Sequence, residues 1–169
     1  VAGAQSVAQY LEYDPSDRIL NLPPYSFDFG LNQLFSALHA GATAVLHNHF
    51  TSEDTLETIA RESVTGVSGV PTVMIQLAAL DWPVKAVSTV RYLSTTGGRM
   101  PETSVRLLRA KLPTSKLFLM YGLTESFRST FLPPSEVDRR PNSIGKAIPN
   151  AEVLVVRPDG SLCAPHEPG

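Results

Sequence analysis

The chain has 169 residues, 43% hydrophobic and 18% charged, which fits one globular domain able to bury a substantial core. Its formal net charge of −2 offers no basic field of the kind that nucleic-acid partners require. A single cysteine, Cys163, excludes an internal disulfide and a cysteine-only metal site, in keeping with the reducing cytoplasm in which the protein is expected to work.

Short apolar runs alternate with helical periodicity along most of the chain. The opening, "VAGAQSVAQYLEYD", has no basic segment, no apolar core and no initiator methionine, so it is neither a signal peptide nor an evident natural start, and the chain is expected to be a piece of something longer. Ile19 to Leu22 reads as a short strand. Leu31, Leu34, Phe35 and Leu38 stand at helical spacing and are expected to form the inner face of a helix that ends at Gly41. "ATAVLH" is the next strand. Thr51 and Asp54 have the spacing of a capping box, opening a helix with Leu56, Ile59 and Ala60 on its inner face. "VTGVSG" follows as a strand. Pro71 suits the first turn of a helix bearing Met74, Leu77 and Leu80.

"VRYLST" is a further strand, and Pro101 with Glu102 opens a helix carrying Val105, Leu108 and Leu112. Glu102 early and Arg109 and Lys111 late complement the dipole of that helix. Lys116 to Met120 is the last strand of the series. This regular alternation predicts an α/β fold, a mostly parallel sheet with helices on both faces. Residues 132–150, rich in proline and charge, read as a long surface loop. "AEVLVVRPDGSLCA" then reads as a β-hairpin turning at Pro158, Asp159 and Gly160. The expected organisation is a nucleotide- and acyl-pocket unit over residues 1–131 and a loop and β-rich extension over 132–169. No apolar run approaches the ~18 residues of a membrane span.

Several chemistries are absent or weak. There is no G-x-x-x-x-G-K-[ST] phosphate loop and no G-x-G-x-x-G fingerprint. "GVSGV" around Ser68 misses the serine-hydrolase pattern because Val70 stands where the second glycine belongs, and a buried strand end followed by a helix-opening Pro71 is the better reading. His47 and His49 in "LHNHF" would share a strand face and could hold a metal given a third ligand; the alternative is a strand ending in polar residues. His39, His166 and Cys163 carry no sign of a chemical role.

Two stretches fall just beyond strand ends, where open α/β sheets place their ligands. In "TTGGRMP", residues 95–101, paired glycines allow close approach of a ring or a phosphate, and the amides of the following helix favour anions; a tight turn would use the same glycines. In "YGLTES", residues 121–126, Tyr121 offers a flat face to a purine, Gly122 a sharp turn, Thr124 a hydroxyl to a phosphate oxygen, and Glu125 a hard carboxylate oxygen for Mg²⁺.

Together these segments resemble the adenylate-forming superfamily of acyl-CoA synthetases, luciferases and the adenylation domains of nonribosomal peptide synthetases. "YGLTES" resembles its Y-G-x-T-E motif and "TTGGRMP" its adenine-contacting Gly-Gly turn. "VTGVSGVPTVMIQL", "LPPYSFDFGLNQLFSALHAGATAVL" and "IGKAIPNAEVLVVRPDGS" resemble further segments in the same order along the whole chain. The resemblance implies that Tyr121 stacks on adenine and that Gly97, Gly98 and Arg99, with Gly122, lie along the nucleotide. It implies that Thr124 contacts the α-phosphate as a catalytic group and that Glu125 binds Mg²⁺.

The implied reaction joins a carboxylate to ATP, giving an acyl-adenylate and pyrophosphate, then passes the acyl group to coenzyme A. The implied partners are therefore a small carboxylic acid, ATP, and coenzyme A or a carrier-protein thiol. The family's lysine-bearing phosphate loop, ribose-binding aspartate, hinge and catalytic lysine are not in this sequence, so the chain is expected to be a central piece of the large domain, inactive alone. The acyl pocket is expected to include Tyr25, Asp28 and Asn32. Phe27-Asp28 resembles the F-D pair of amino-acid adenylation domains, in which the aspartate meets the substrate's ammonium; alternatively Asp28 caps a helix starting near Gly30. The alternatives to an acyl-CoA synthetase are an amino-acid or aryl-acid adenylation domain and a non-catalytic nucleotide-binding or scaffold module.

Overall fold

Residues that alternate between two apolar environments make the strands here, and the helices between them cover both sides. The computed structural model describes residues 2–126 and 128–169. Its strands are β1 (Arg18–Asn21), β2 (Thr43–Leu46), β3 (Gly66–Gly69), β4 (Tyr92–Thr95), β5 (Lys116–Tyr121), β6 (Thr130–Leu132) and β7 (Lys146–Ala147). They form one seven-stranded sheet in the order β2-β1-β3-β4-β5-β6-β7. β1 to β5 are parallel, with Ile19 opposite both Ala44 and Gly66, and Tyr92 opposite Gly66 and Lys116. β6 and β7 complete the sheet antiparallel, with Tyr121 opposite Thr130 and Thr130 opposite Ala147. The fold is therefore the expected α/β class with a mostly parallel sheet.

The helices are α1 (Ala2–Tyr10), α2 (Asp28–Ala40), α3 (Ser52–Arg61), α4 (Pro71–Ala79), α5 (Val84–Thr89) and α6 (Glu102–Lys111). Successive strand residues point to opposite faces. Leu20, Val67, Leu93, Leu117 and Leu119 meet Leu56 and Ile59 of α3, Met74 and Leu77 of α4, Ala86 of α5, and Val105 and Leu108 of α6 in an aliphatic core. Tyr92, Phe118 and Met120 point the other way and join Val7, Tyr10 and Leu11 around α1, with Phe131 and Ile148, in a smaller aromatic one. Tyr10 stacks on Phe131 with ring centroids 4.4 Å apart. Gly66 is required beneath this layer, because a Cβ there would lie 2.1 Å from the Tyr92 ring.

The helix signals act as expected at most ends. Thr51 accepts a hydrogen bond from the Asp54 amide, Pro71 is the first residue of α4, and Gly41 closes α2 in the left-handed region at φ 69°. The tail forms its hairpin in short form, with one β-bridge between Val156 and Leu162 and the Arg157 amide bonded to the Ser161 carbonyl.

Three expectations need correction. Residues 132–150 are not simply a surface loop, since they carry part of β6 and all of β7, and Val137 and Ile148 are buried there; β6 also runs across the boundary expected after residue 131. Leu31, Phe35 and Leu38 do not line the inside of α2. That helix buries Phe29, Gly30, Gln33, Ser36 and Ala37 instead. Finally, α2 begins at Asp28 itself, with Phe27 at the cap position and no side-chain cap, so Asp28 is not the capping residue.

Candidate active site

The chain passes from β1 outward to β2 and then back across to β3, so the sheet order reverses between β1 and β3. Loops leaving the carboxyl ends of neighbouring strands diverge at such a reversal and leave a crevice. Here the crevice is a cleft of about 1040 Å³. Residues 21–24 from the end of β1, 46–49 from the end of β2, 69–70 from the end of β3, 96–97 after β4 and 122–125 after β5 line it, so every parallel strand contributes. Tyr25 and Phe27, just ahead of α2, and Asp28 and Phe29 in its first turn also line it, as does Arg128.

One side of the cleft brings together residues expected to meet a nucleotide. Gly97 lines it in a left-handed conformation, φ 87°, that few side-chain-bearing residues adopt. Thr124 and Glu125 line it with exposed side chains, joined by Gly122. A hydroxyl and a carboxylate oxygen in one loop are hard donors of the kind that Mg²⁺ takes. Tyr121 ends β5, is 42% exposed, and lies beside the cleft lining rather than in it. Gly98 packs on Pro71 and is not part of the lining. Arg99 points away, to the side-chain oxygen of Asn142, whose amide donates to Glu102 at 3.1 Å.

On the other side, Tyr25 and Asp28 face the cleft. Asn32 does not: it borders a separate void of about 10 Å³ shared with Gln33, Ser68 and Ser94, and accepts a hydrogen bond from Ser36 at 3.1 Å. The two serines lie 2.6 Å apart, buried side by side on β3 and β4, so Ser68 is a strand residue with no base beside it.

His47 and His49 stand on the β2 side of the cleft. The Thr55 hydroxyl donates to the Thr51 carbonyl at 3.0 Å, which leaves its oxygen to accept from His47 Nε2 at 3.1 Å and His49 Nδ1 at 2.7 Å. One threonine thus sets both tautomers, with the proton on Nε2 of His47 and on Nδ1 of His49. Burial lowers the His47 pKa, against the pull of the nearby Asp54 carboxylate, and keeps the ring neutral at pH 7. Among the described residues no group of three metal-ligating side chains occurs, so the histidine pair has no third ligand.

Arg128 is the cleft residue that sequence reading passed over. Its guanidinium is buried and sits 4.3 Å from the centre of the Phe29 ring. It interacts with the phenol of Tyr10, whose hydroxyl donates to Met120 Sδ at 2.8 Å. Burial lowers its pKa, while Tyr10 and the Asp28 carboxylate act to hold its proton. An arginine in "FRSTF", directly after the acidic loop, is the only signal that could have drawn attention to it.

The sequence pattern of the AMP-binding enzyme family matches residues 1–169. The chain belongs to that family. Among its relatives, indoleacetate–CoA ligase of Aromatoleum aromaticum is 32% identical over 162 residues, 94% of this chain and 31% of the relative. The 2-succinylbenzoate–CoA ligase of Bacillus subtilis is 32% identical over 167 residues, 98% of this chain and 33% of the relative. The solved structure of O-succinylbenzoate coenzyme A synthetase from Bacillus subtilis, in complex with ATP and magnesium ion, superposes with a TM-score of 0.86 at 31% identity, over 98% of this chain and 34% of that one. The chain spans about a third of the length of these relatives. Among its described residues no helix is long and apolar enough to cross a membrane.

Proposed function

We propose that this AMP-binding chain forms the acid- and nucleotide-binding cleft of an AMP-forming acid–CoA ligase. The observation that carries the reading is the cleft itself: Gly97, Thr124 and Glu125 line the same space as Tyr25 and Asp28, at the carboxyl ends of all the parallel strands. One space can therefore hold a nucleotide phosphate and a carboxylic acid side by side, the arrangement that attack of the acid on an α-phosphate needs. Tyr121 presents a flat ring to the base from the rim. Gly97 lets the backbone approach the nucleotide closely, and Thr124 donates its hydroxyl to the α-phosphate.

Glu125 would hold Mg²⁺, which supplies positive charge against the repulsion between one anion and another. The acid's oxygen attacks the α-phosphorus and pyrophosphate leaves; the resulting acyl-adenylate carries AMP as a leaving group, which a coenzyme A thiol then displaces to give the thioester. Relatives named as CoA ligases support the thiol. Catalysis is expected to need segments outside these 169 residues, because the relatives are about three times as long. The second reading, an amino-acid adenylation domain loading a carrier protein, is favoured by one observation, the Asp28 carboxylate facing the cleft.

The test is calorimetric titration of AMP and Mg·ATP into the chain and into Tyr121→Ala. Loss of the stacked ring should weaken binding by on the order of 1–3 kcal/mol, by analogy with base–aromatic stacking. Equal binding by both forms would remove Tyr121 from the site. No binding by either would overturn a nucleotide site built by these residues alone.

A further inference from the structure

Among the described residues, the cleft lining contains one Lys or Arg side chain, Arg128, and two carboxylates, Asp28 and Glu125. Glu125 is exposed in a loop, where water or a metal can neutralise it, but Arg128 is only 5% exposed. Taking a guanidinium out of water costs several kcal/mol unless nearby groups compensate it. Three do. The Tyr10 phenol helps to hold its proton, the Phe29 ring centre lies 4.3 Å from the charge, and the Asp28 carboxylate acts on it electrostatically. Phe29 and Asp28 are adjacent in the first turn of α2, so the ring contact holds the guanidinium at the helix end that carries the carboxylate. A buried cation of the chain itself thus lies against the helix turn that carries Asp28, in the same cleft.

We propose that Arg128 takes the place that a substrate ammonium would otherwise fill beside Asp28, so that the cleft selects carboxylic acids with no amino group next to the carboxyl. The inference rests on the acid-binding reading above and deepens it. An α-ammonium brought to Asp28 meets a second positive charge held there by packing, and like charges in a poorly solvated site repel. An uncharged α-carbon meets only the apolar wall of Tyr25, Phe27 and Phe29. Arg128 is by this argument a specificity-determining residue, and Asp28 is its counter-charge rather than a substrate ligand.

Two measurements on the chain test this. The first is a double-mutant cycle of Asp28→Asn and Arg128→Met, read by urea denaturation. Arg128→Met alone should be destabilising, and the pair should show coupling of about tenfold in the unfolding constant, as interacting residues do. Additive effects would overturn the pairing. The second compares binding of 3-phenylpropanoate and L-phenylalanine, identical except for the ammonium, by ligand-observed NMR. The chain should favour 3-phenylpropanoate, and Arg128→Met should shift the ratio toward phenylalanine by about tenfold. Should Arg128→Met fail to fold, Arg128→Lys keeps the charge and should keep the preference for the plain acid.

An unchanged ratio in Arg128→Met, or a preference for phenylalanine in the unaltered chain, would overturn the selectivity. If neither acid bound any form, the cleft would be refuted as a carboxylate site and the selectivity with it, while the mutant cycle would still decide whether Asp28 is paired from within.

Discussion

α2 and α3 lie on opposite faces of the sheet, and their sequences announce them in the same way, with apolar residues at helical spacing. They use that spacing in opposite senses. α3 buries Leu56 and Ile59 in the aliphatic core. α2 turns Leu31, Phe35 and Leu38 outward, at 40%, 51% and 62% exposure, and buries Gly30, Gln33, Ser36 and Ala37. The difference lies in what each helix has to meet. α3 lies over aliphatic strand residues and gains by burying aliphatic side chains of its own. α2 lies over the site end of the sheet, where small residues let it come close. Its Gln33 amide donates to the Leu20 carbonyl at 2.7 Å, and Asn21 of β1 donates to its Gly30 carbonyl at 3.4 Å. A periodic stripe shows that a helix is amphipathic; the partner decides which side faces in.

The sharpest way to break the comparison is to truncate the buried stripe. Ile59 is fully buried among aliphatic neighbours, and Ile59→Ala should cost about 3 kcal/mol, the lost transfer energy plus the cavity left behind. Denaturation in urea should show the midpoint falling with little change in slope. A loss below about 1 kcal/mol would mean that the α3 face is loosely packed.

The polar side of the comparison is tested at the opposite end of the sheet, away from the cleft. Asp17, 1% exposed, accepts from Arg91 Nε at 2.7 Å, the Thr65 hydroxyl at 2.6 Å and the Asp14 amide at 2.9 Å. It thereby ties together the chain entering β1, β3 and β4. Burial by itself would raise the Asp17 pKa, but these hydrogen bonds, that of Arg91 foremost, hold it below the usual carboxylate value. A depressed folded-state pKa gives stability that is complete above the unfolded value near 3.9 and is lost as pH falls through the folded one. Asp17→Asn should therefore cost about 2 kcal/mol at pH 7, since it leaves part of a buried charged network unpaired. The cost should be smaller at a second, acidic pH, because the carboxylate becomes protonated in both states as pH falls through the depressed folded value. Denaturation curves of the two proteins at the two pH values check it, and a cost independent of pH would show that the charge is not what holds the loops.

The alternation of strands and helices was legible because it needs only local signals: Thr51 and Pro71 opening helices, Gly41 closing one, and period-two apolar runs at Leu93 and Leu117. The antiparallel strands β6 and β7 were not legible. They are short, and β7 is only Lys146 and Ala147, held by pairing with residues some fifteen positions away rather than by any pattern of its own. α1 was passed over although Ala4, Val7, Ala8 and Leu11 have helical spacing, because small residues give a faint signal. In the cleft, Gly97, Thr124 and Glu125 could be named from sequence because each belongs to a stretch with its own chemistry, whereas Tyr25 and Asp28 were named from the family resemblance alone. Asn32 was misplaced because one helical turn was assumed to keep it on the Asp28 face, whereas the α2 side that carries it turns toward α1 and the strand serines. Arg128 was missed for the converse reason: burial gives a charged residue its meaning here, and burial is a property of the fold.

The smallest effect belongs to the outward stripe of α2, and it is the one that decides whether the comparison is right. Phe35→Ser with Leu38→Ser removes two large apolar side chains that are more than half exposed. Serine is a slightly poorer helix former than leucine and close to phenylalanine, so propensity changes little. Stability in urea should stay within about 0.5 kcal/mol of the unaltered chain, the usual range for exposed positions. An exposed apolar patch of this kind also promotes self-association, so light scattering should show the double variant staying monomeric to higher concentration. A cost of about 2 kcal/mol or more would be the signature of a buried face. It would turn α2 around, put Leu31, Phe35 and Leu38 back inside, and with them displace Asp28 and Phe29 from the cleft wall on which the pairing with Arg128 depends.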